Sequence, residues 1–280
     1  MRFARTQTLP VLKPFRLAGS PSLRHFQLSA RHGLLIAVAL CLAVGIGDAA
    51  AAPAAPSILA TLLKWTPLLA RGFALDLAMS FLSMAIGTVA GVVVGLGLIS
   101  LRAPVRGAAW VVTQLFRNAP WLVLLFYCML LLPFELHIGS LTIPLPDWLK
   151  ATLGLALPVM ANVAELVRGA VRSIPFGQWE ASEALAFSRR QILWTVILPQ
   201  CVKRMTPPWM NLYCILVAAM PLTSIVGVSE SMTLTGDILA AEGRNELLVP
   251  MYLYLLLWFF AYCYPIALAT TALERRFQVR

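Results

Sequence analysis

The sequence predicts an all-α membrane protein in which one N-terminal helix precedes five core transmembrane helices, and three observations carry that reading. Hydrophobic residues make up 60% of the 280 positions and charged residues 12%, whereas soluble domains are about 45–50% apolar. Several apolar runs approach or exceed the ~18 residues that mark a membrane-spanning helix. The basic residues fall almost entirely into alternate loops, as orientation in a bilayer requires. A chain of this length holds five or six helices with their loops and leaves no room for a second, catalytic domain. The net charge of +10 therefore reports membrane orientation and not a nucleic-acid partner.

From the N-terminus, residues 1–33 form a basic cytoplasmic tail with six Lys/Arg, no acid and the helix breakers Pro10, Pro14 and Pro21. Residues 34–52, within GLLIAVALCLAVGIGDAAAAPAAP, read in two ways. A basic flank, a short apolar core and small residues at the end describe a secretory signal. They also describe a retained first transmembrane helix, the reading adopted because a membrane domain follows. Spans are then expected over 73–101, 109–133, 148–172, 207–228 and 248–272. Proline and glycine inside them are tolerated, because neighbouring helices satisfy the freed backbone groups. The five cysteines (Cys41, Cys128, Cys201, Cys214 and Cys263) show neither metal-ligand spacing nor a disulfide framework and read as small buried hydrophobes. The three histidines, His25, His32 and His137, lie in the tail and an outer loop. No catalytic, metal or cofactor site is expected.

With the tail in the cytoplasm, that side also receives Arg102, Arg106, Arg117, Arg168, Arg172, Arg189, Arg190, Lys203, Arg204, Arg275, Arg276 and Arg280. Only Lys64, Arg71, Lys150 and Arg244 of the 22 basic residues remain outside, alongside Glu135, Asp147, Glu230, Asp237, Glu242 and Glu246. This split follows the positive-inside rule and places both termini in the cytoplasm.

Three features inside the spans carry expectations. Gly87, Gly91 and Gly95 recur every fourth residue in GTVAGVVVG, so one helix face admits a close neighbour that the sequence does not identify. Asp76 is expected at the interface, because a helix over 73–101 is about 43 Å long against a hydrocarbon core of about 30 Å. Glu165 and Arg168 lie three apart on one helical face and can pair, with Arg172 a turn further on. Ionisable groups within a span usually face a cavity or a bundle interior; the other reading is an intrahelical pair whose arginines snorkel to the cytoplasmic interface. The sequence leaves both open.

The stretch GQWEASEALAFSRRQILWTVILPQ, residues 177–200, is amphipathic and lies between two membrane segments. Pro175 and Gly177 break the preceding helix, Trp179–Ala186 reads as a short helix with Glu180 in its acidic first turn, and Ser188 with Gln191 forms a capping-box pattern. The second helix should end at Pro199. Arg189 and Arg190 sit at its positive end, where lipid phosphate or a partner acid is expected to compensate them. Two stiff, capped helices outside the membrane make a docking surface.

This stretch resembles the E-A-A loop of ABC importer permeases, with the family's Glu-Ala-Ala at Glu180, Ala181 and Ser182, its Ala-Leu-Gly at Ala184, Leu185 and Ala186, and its ending at Ile197, Leu198, Pro199 and Gln200. LFRNAPWLVLLFY and AELVRGAVRSIPFGQWEA are similar to stretches of the polar amino acid uptake branch. The resemblance spans about residues 71–277, the permease transmembrane domain, with a cytoplasmic coupling loop over 175–206. It implies a type I ABC importer permease bundle in a bacterial inner membrane, importing amino acids by alternating access. The alternatives are another small solute, amino-acid-derived or an organic ion, and a secondary transporter. The resemblance further implies a second permease subunit, identical or paralogous, ABC ATPase subunits gripping the loop, and an extracytoplasmic solute-binding protein. Gly177, Glu180, Ala181, Ser182, Leu185 and Ala186 would dock the ATPase, and Glu165 and Arg168 would line the translocation path. The chain has no G-x-x-x-x-G-K-[ST] phosphate loop, so ATP hydrolysis is expected on a separate subunit. Two departures stand out. The family glycine is Ala186, where a helix end prefers a left-handed residue. The branch's Lys-Asp-Thr-Ser is replaced by Ala218, Ala219, Met220 and Pro221, which bears on the solute more than on the mechanism.

Overall fold

The computed structural model describes residues 56–138 and 141–277, together with Gly33. The tail expected over 1–33 (Gly33 apart) and the helix or signal expected over 34–52 lie outside the described residues. The elements are α1 (Ile58–Leu98), α2 (Ala103–Asn118), α3 (Trp121–Leu131), the strands β1 (Glu135–Ile138) and β2 (Leu141–Pro144), α4 (Asp147–Arg172), α5 (Phe176–Ala184), α6 (Arg189–Val226), α7 (Ser231–Glu242) and α8 (Asn245–Phe277). Four helices, α1, α4, α6 and α8, are long and apolar enough to cross a membrane, and α2 with α3, bent by 105°, supplies a fifth span when the pair is taken together. The two strands pair antiparallel as a short hairpin, with Glu135 opposite Pro144 and Ile138 opposite Leu141.

Helix α4 occupies the centre. Its Ala151, Leu155, Val159, Val163 and Val167, at four-residue spacing, are buried. They meet Met79 and Met84 of α1, Leu125 of α3, and Leu212, Leu216 and Met220 of α6 in one cluster. The glycine stripe of α1 packs against this same face. A methyl group at Gly87 would lie 2.5 Å from Val159, one at Gly91 2.6 Å from Val163, and one at Gly95 2.7 Å from Val167. The carbonyls of Ala156, Met160 and Ala164 stand 2.7–3.0 Å from those positions, so backbone meets backbone and only glycine fits. On α1, Phe81, Val89 and Val93 are exposed, as side chains solvated by lipid are.

Several boundaries differ from expectation. Helix α1 runs for 41 residues and starts fifteen positions before the expected 73. Ser57 caps it by accepting from the Ala60 amide at 3.2 Å, and Ile58, Leu62 and Leu69 pack on Ile238 of α7 and on Leu247 and Met251 of α8. That packing keeps the helix running through Pro67 and through Lys64 and Arg71, which lie outside the expected spans. Asp76 consequently lies in mid-helix and is fully buried, not interfacial. The run expected over 109–133 is broken because Pro120 drives Ala119 to an extended conformation (φ −74°, ψ 136°). Helix α7 and the hairpin occupy segments read as outer loops, where short polar stretches carry little periodicity.

The close approach of α1 to α4 has a measurable consequence. Gly91→Ala should destabilise the detergent-solubilised protein by about 1–3 kcal/mol, the usual cost of overpacking. Gly107→Ala, on α2 with nothing within 4 Å of the added methyl, should be neutral or raise stability by up to about 1 kcal/mol. Thermal unfolding of both variants checks this, and equal effects would contradict the packing described.

Candidate functional site

Helix α5 stands beyond the end of α4, and its local chemistry fixes it there. Pro175, extended at φ −55° and ψ 140°, turns the chain out of α4 and precedes the first residue of α5. The helix begins at Phe176, three residues earlier than expected, because Gly177 is accommodated in its first turn. Glu180 therefore lies beyond that turn and not within it. The inner face carries Trp179, packed on the cluster of Ile174, Ile192 and Ile197, and Ser182, which is buried and donates to the Gln178 carbonyl at 2.7 Å. The outer face carries Gly177, Glu180, Ala181, Leu185 and Ala186, all exposed. Leu185 is 70% and Phe176 74% exposed, so Glu180 stands between two uncovered apolar side chains. Five of the six expected docking residues thus share a surface. Ser182 does not; it is buried on the inner face and bonded within α5.

The C-terminus of α5 is a Schellman motif. The Phe187 amide donates to the Ser182 carbonyl at 3.2 Å and the Ala186 amide to the Glu183 carbonyl at 2.8 Å. The motif needs a left-handed residue, and Ala186 takes that role at φ +59°, among the described residues the single non-glycine with positive φ. Ser188 then opens α6 through the expected capping box: its amide donates to Gln191 Oε1 at 2.9 Å, and its Oγ accepts from the Gln191 amide. Arg189 lies over the Trp179 ring, 5.3 Å from its centroid. Within the chain, the aromatic face is what this cation meets.

Helix α6 does not end at Pro199. Residues Ile192–Ile197 form a π segment in which the Leu198 amide reaches the Leu193 carbonyl. This wider turn lets the chain pass the proline, and the Gln200 side chain donates to the Val196 carbonyl at 2.9 Å. The widening also puts Ile192 and Ile197, five apart, into the same buried cluster. Arg204, counted in the sequence only as a loop charge, donates to the carbonyl and hydroxyl oxygens of Ser173 at 2.8 and 3.1 Å. It ties α6 to the end of α4, directly behind α5.

Two helical turns back from that end, the guanidinium of Arg168 hydrogen-bonds Glu165 through Nε at 2.9 Å and through a second nitrogen. The other Glu165 oxygen is buried without a hydrogen bond, and Arg117, at the α2 side of the bent pair, approaches it to 3.9 Å. Both readings of the sequence hold in part: the pair is intrahelical, and it also faces a neighbouring helix where that helix breaks. The pairing role of Arg117 was missed, although its place in LFRNAPW, two residues before the pre-proline break, is its signal. Arg168 and Arg172 line a cavity of about 330 Å³ with Arg106 and Trp110. A larger one, about 650 Å³, lies beneath α5 between Leu98, Arg106, Arg172, Trp179 and Arg189.

Comparison with known proteins agrees with this geometry. The family model for the binding-protein-dependent transport system inner membrane component matches residues 87–279. The probable amino-acid ABC transporter permease protein YckA of Bacillus subtilis is 30% identical over 212 residues, covering 75% of this chain and 89% of its own. The L-cystine transport system permease protein TcyB of the same organism is 27% identical over 210 residues, covering 75% and 86%. A crystal structure of an amino acid ABC transporter with histidines superposes with a TM-score of 0.68 at 23% identity, over 79% of this chain and 99% of the other, a likeness of fold.

The left-handed Ala186 generates a stability prediction. Ala186→Gly should stabilise the α5–α6 corner by about 1 kcal/mol, since glycine takes this conformation without the Cβ penalty. Amide hydrogen exchange across residues 182–190 should slow in the variant; faster exchange would contradict the strain assigned to Ala186.

Proposed function

Because the chain belongs to the family of binding-protein-dependent transport system inner membrane components, we propose that it is the permease of an importer for amino acids and that α5 is the face through which ATP hydrolysis on a separate subunit drives it. It is a multi-pass membrane protein. The observation that carries the coupling assignment is the presentation of Glu180: an exposed carboxylate with uncovered Phe176 and Leu185 on the same short helix, outside the spans, whose Trp179 packs on the cluster formed by the end of α4 and the start of α6. Exposed apolar side chains beside a charged group mark a surface that a partner covers. The permease domain is assigned to 71–277 with its coupling loop at 175–206. Both termini are placed in the cytoplasm, a second permease, identical or paralogous, completes the path, and an extracytoplasmic binding protein delivers the solute. The amino-acid assignment is supported by the names of the relatives YckA and TcyB.

Alternating access follows from the connectivity. Movement of α5 is passed rigidly to α4, and α4 carries Glu165 and Arg168 at the broken α2–α3 pair. The glycine stripe makes α1 move with α4. A shift applied at the cytoplasmic face thereby reaches the polar groups of the path without bending the helix that carries them.

Glu180→Ala tests the docking role. Surface changes usually shift stability by within about 0.5 kcal/mol, so the variant should reach the membrane at the normal level. Truncating a charged interfacial anchor costs about 2–5 kcal/mol of association, so co-purification of the ATPase and solute-stimulated ATP hydrolysis should both be lost. Full transport with normal ATPase retention would refute the role of this residue.

A further inference from the structure

At the end of the bundle remote from α5, two carboxylates are buried together without a base. Asp76 of α1 and Glu230, the residue that caps α7, are both fully buried. Ser231 Oγ hydrogen-bonds Asp76 Oδ2 and lies 3.2 Å from Glu230 Oε2. The close approach continues in the backbone, where a methyl group at Gly72 would come within 2.8 Å of the Ser231 amide and Cα. Helix α7 is thus seated on α1 at this point, with the carboxylates sealed between them.

Counting protons across this contact leaves one missing. Three oxygens in a row, Asp76 Oδ2, Ser231 Oγ and Glu230 Oε2, need two protons for two hydrogen bonds, and the hydroxyl supplies one. The start of α7 favours the charged form of Glu230, which accepts from the Met232 amide at 2.7 Å and the Thr233 amide at 3.0 Å. Burial acts against these bonds and is the larger influence, raising the Glu230 carboxyl above its ordinary range. Asp76 meets the single amide of Ser231 where Glu230 meets two, and its Oδ1 is buried without a geometrically formed hydrogen bond. An orphaned oxygen is costly on an ionised carboxylate and far less so on a neutral acid.

Among the described residues no cation compensates the pair: Lys150 of α4, buried on the helix packed against α1, lies over the Phe134 ring and 3.5 Å from Asp147. The basic groups of α1 that flank this region are Lys64 and the exposed Arg71. Lys64 pairs with Glu242 at 2.8 Å, and Arg71 forms no ion pair with either carboxylate. Arg244, beyond α7, pairs with Glu246 of α8 at 2.8 Å. Of the remaining titratable groups, Asp237 of α7 is exposed. Tyr213 of α6 bonds Ser80 and Tyr262 of α8, and Tyr254 of α8 bonds Thr66. Among the described residues no Lys, Arg or His lies within ion-pair distance of Asp76 or Glu230.

We infer that Asp76 and Glu230 form a proton-binding site, holding one proton between them through Ser231 Oγ, and that this proton latches α7 onto α1. In the unfolded chain both carboxyls titrate in the ordinary range near pH 4. In the fold the shared proton is retained above that range, so the native state binds more protons than the unfolded one. The latch is therefore complete below the ordinary carboxylate range and is lost as pH rises through the folded value of the pair. The site is independent of the coupling role of α5 and of the solute carried.

The test uses the full chain in lipid nanodiscs, with wild type, Asp76→Asn and the exposed control Asp237→Asn unfolded thermally between about pH 5 and about pH 9, a window above the ordinary carboxyl range. Wild type and Asp237→Asn should lose thermal stability as pH rises, and Asp76→Asn should lose most of that dependence, because an amide stays neutral throughout. Infrared spectra of wild type alone should show the C=O stretch of a protonated carboxyl that disappears at high pH, a readout that does not depend on any variant folding. Absence of that band, or an unchanged pH dependence in a folded Asp76→Asn, would overturn the proposal. Thermal stability that responds to sodium ions at fixed pH and shows no carboxyl band would assign the site to a metal cation and overturn it equally.

Discussion

The architecture depends on the close approach of α1 and α4, where three glycines at four-residue spacing meet three valines at the same spacing. Helices in a bilayer gain little from burying apolar surface against one another, since lipid is as apolar as leucine, so association rests on packing at short range. Each absent Cβ on α1 admits a Val side chain and brings the Ala156, Met160 and Ala164 carbonyls to the opposing backbone. That contact leaves α4 enclosed, with α3 and α6 packed on its remaining faces. A helix enclosed in this way cannot flex independently and serves as the rigid element to which both proposed regions attach.

Those regions sit at two levels of α4. Glu165 and Arg168 lie inside the helix, where Arg117 approaches from the broken α2–α3 pair. Helix α5 lies past its C-terminus, held by the Trp179 contact, while the Arg204 clamp on Ser173 joins α6 to the same end of α4. The π segment of α6 belongs to the same construction, because it turns both Ile192 and Ile197 into the cluster beneath α5. π-Bulges recur at functional sites because they re-aim side chains without ending a helix, and here the segment joins a membrane span to the exposed α5–α6 corner in one continuous run.

What was legible in the sequence was local. The Ser188–Gln191 capping box depends on residues three apart and forms as expected. The requirement for a left-handed residue at Ala186 follows from a helix end and is met despite the alanine. The glycine stripe was readable as a close-packing face, but its partner was not, since any helix of small or branched residues could answer it. Features that depend on distant contacts were misread. Lys64 and Arg71 counted as loop charges outside the spans, whereas Ile58, Leu62 and Leu69 pack on α7 and α8 and keep the segment helical. Asp76 looked interfacial because nothing local reveals Ser231, 155 positions away in the chain. Pro199 looked like a terminus because the π turn that absorbs it is set by tertiary packing.

The central claim is that α5, rigid on the end of α4, is the surface that an ATPase subunit grips. Replacing the exposed Leu185 with a photo-reactive amino acid, in membranes carrying the whole transporter, tests this directly. The account predicts a light-dependent covalent adduct between this chain and the ATPase subunit. Adducts with lipid alone, or none with the ATPase while transport remains intact, would contradict it.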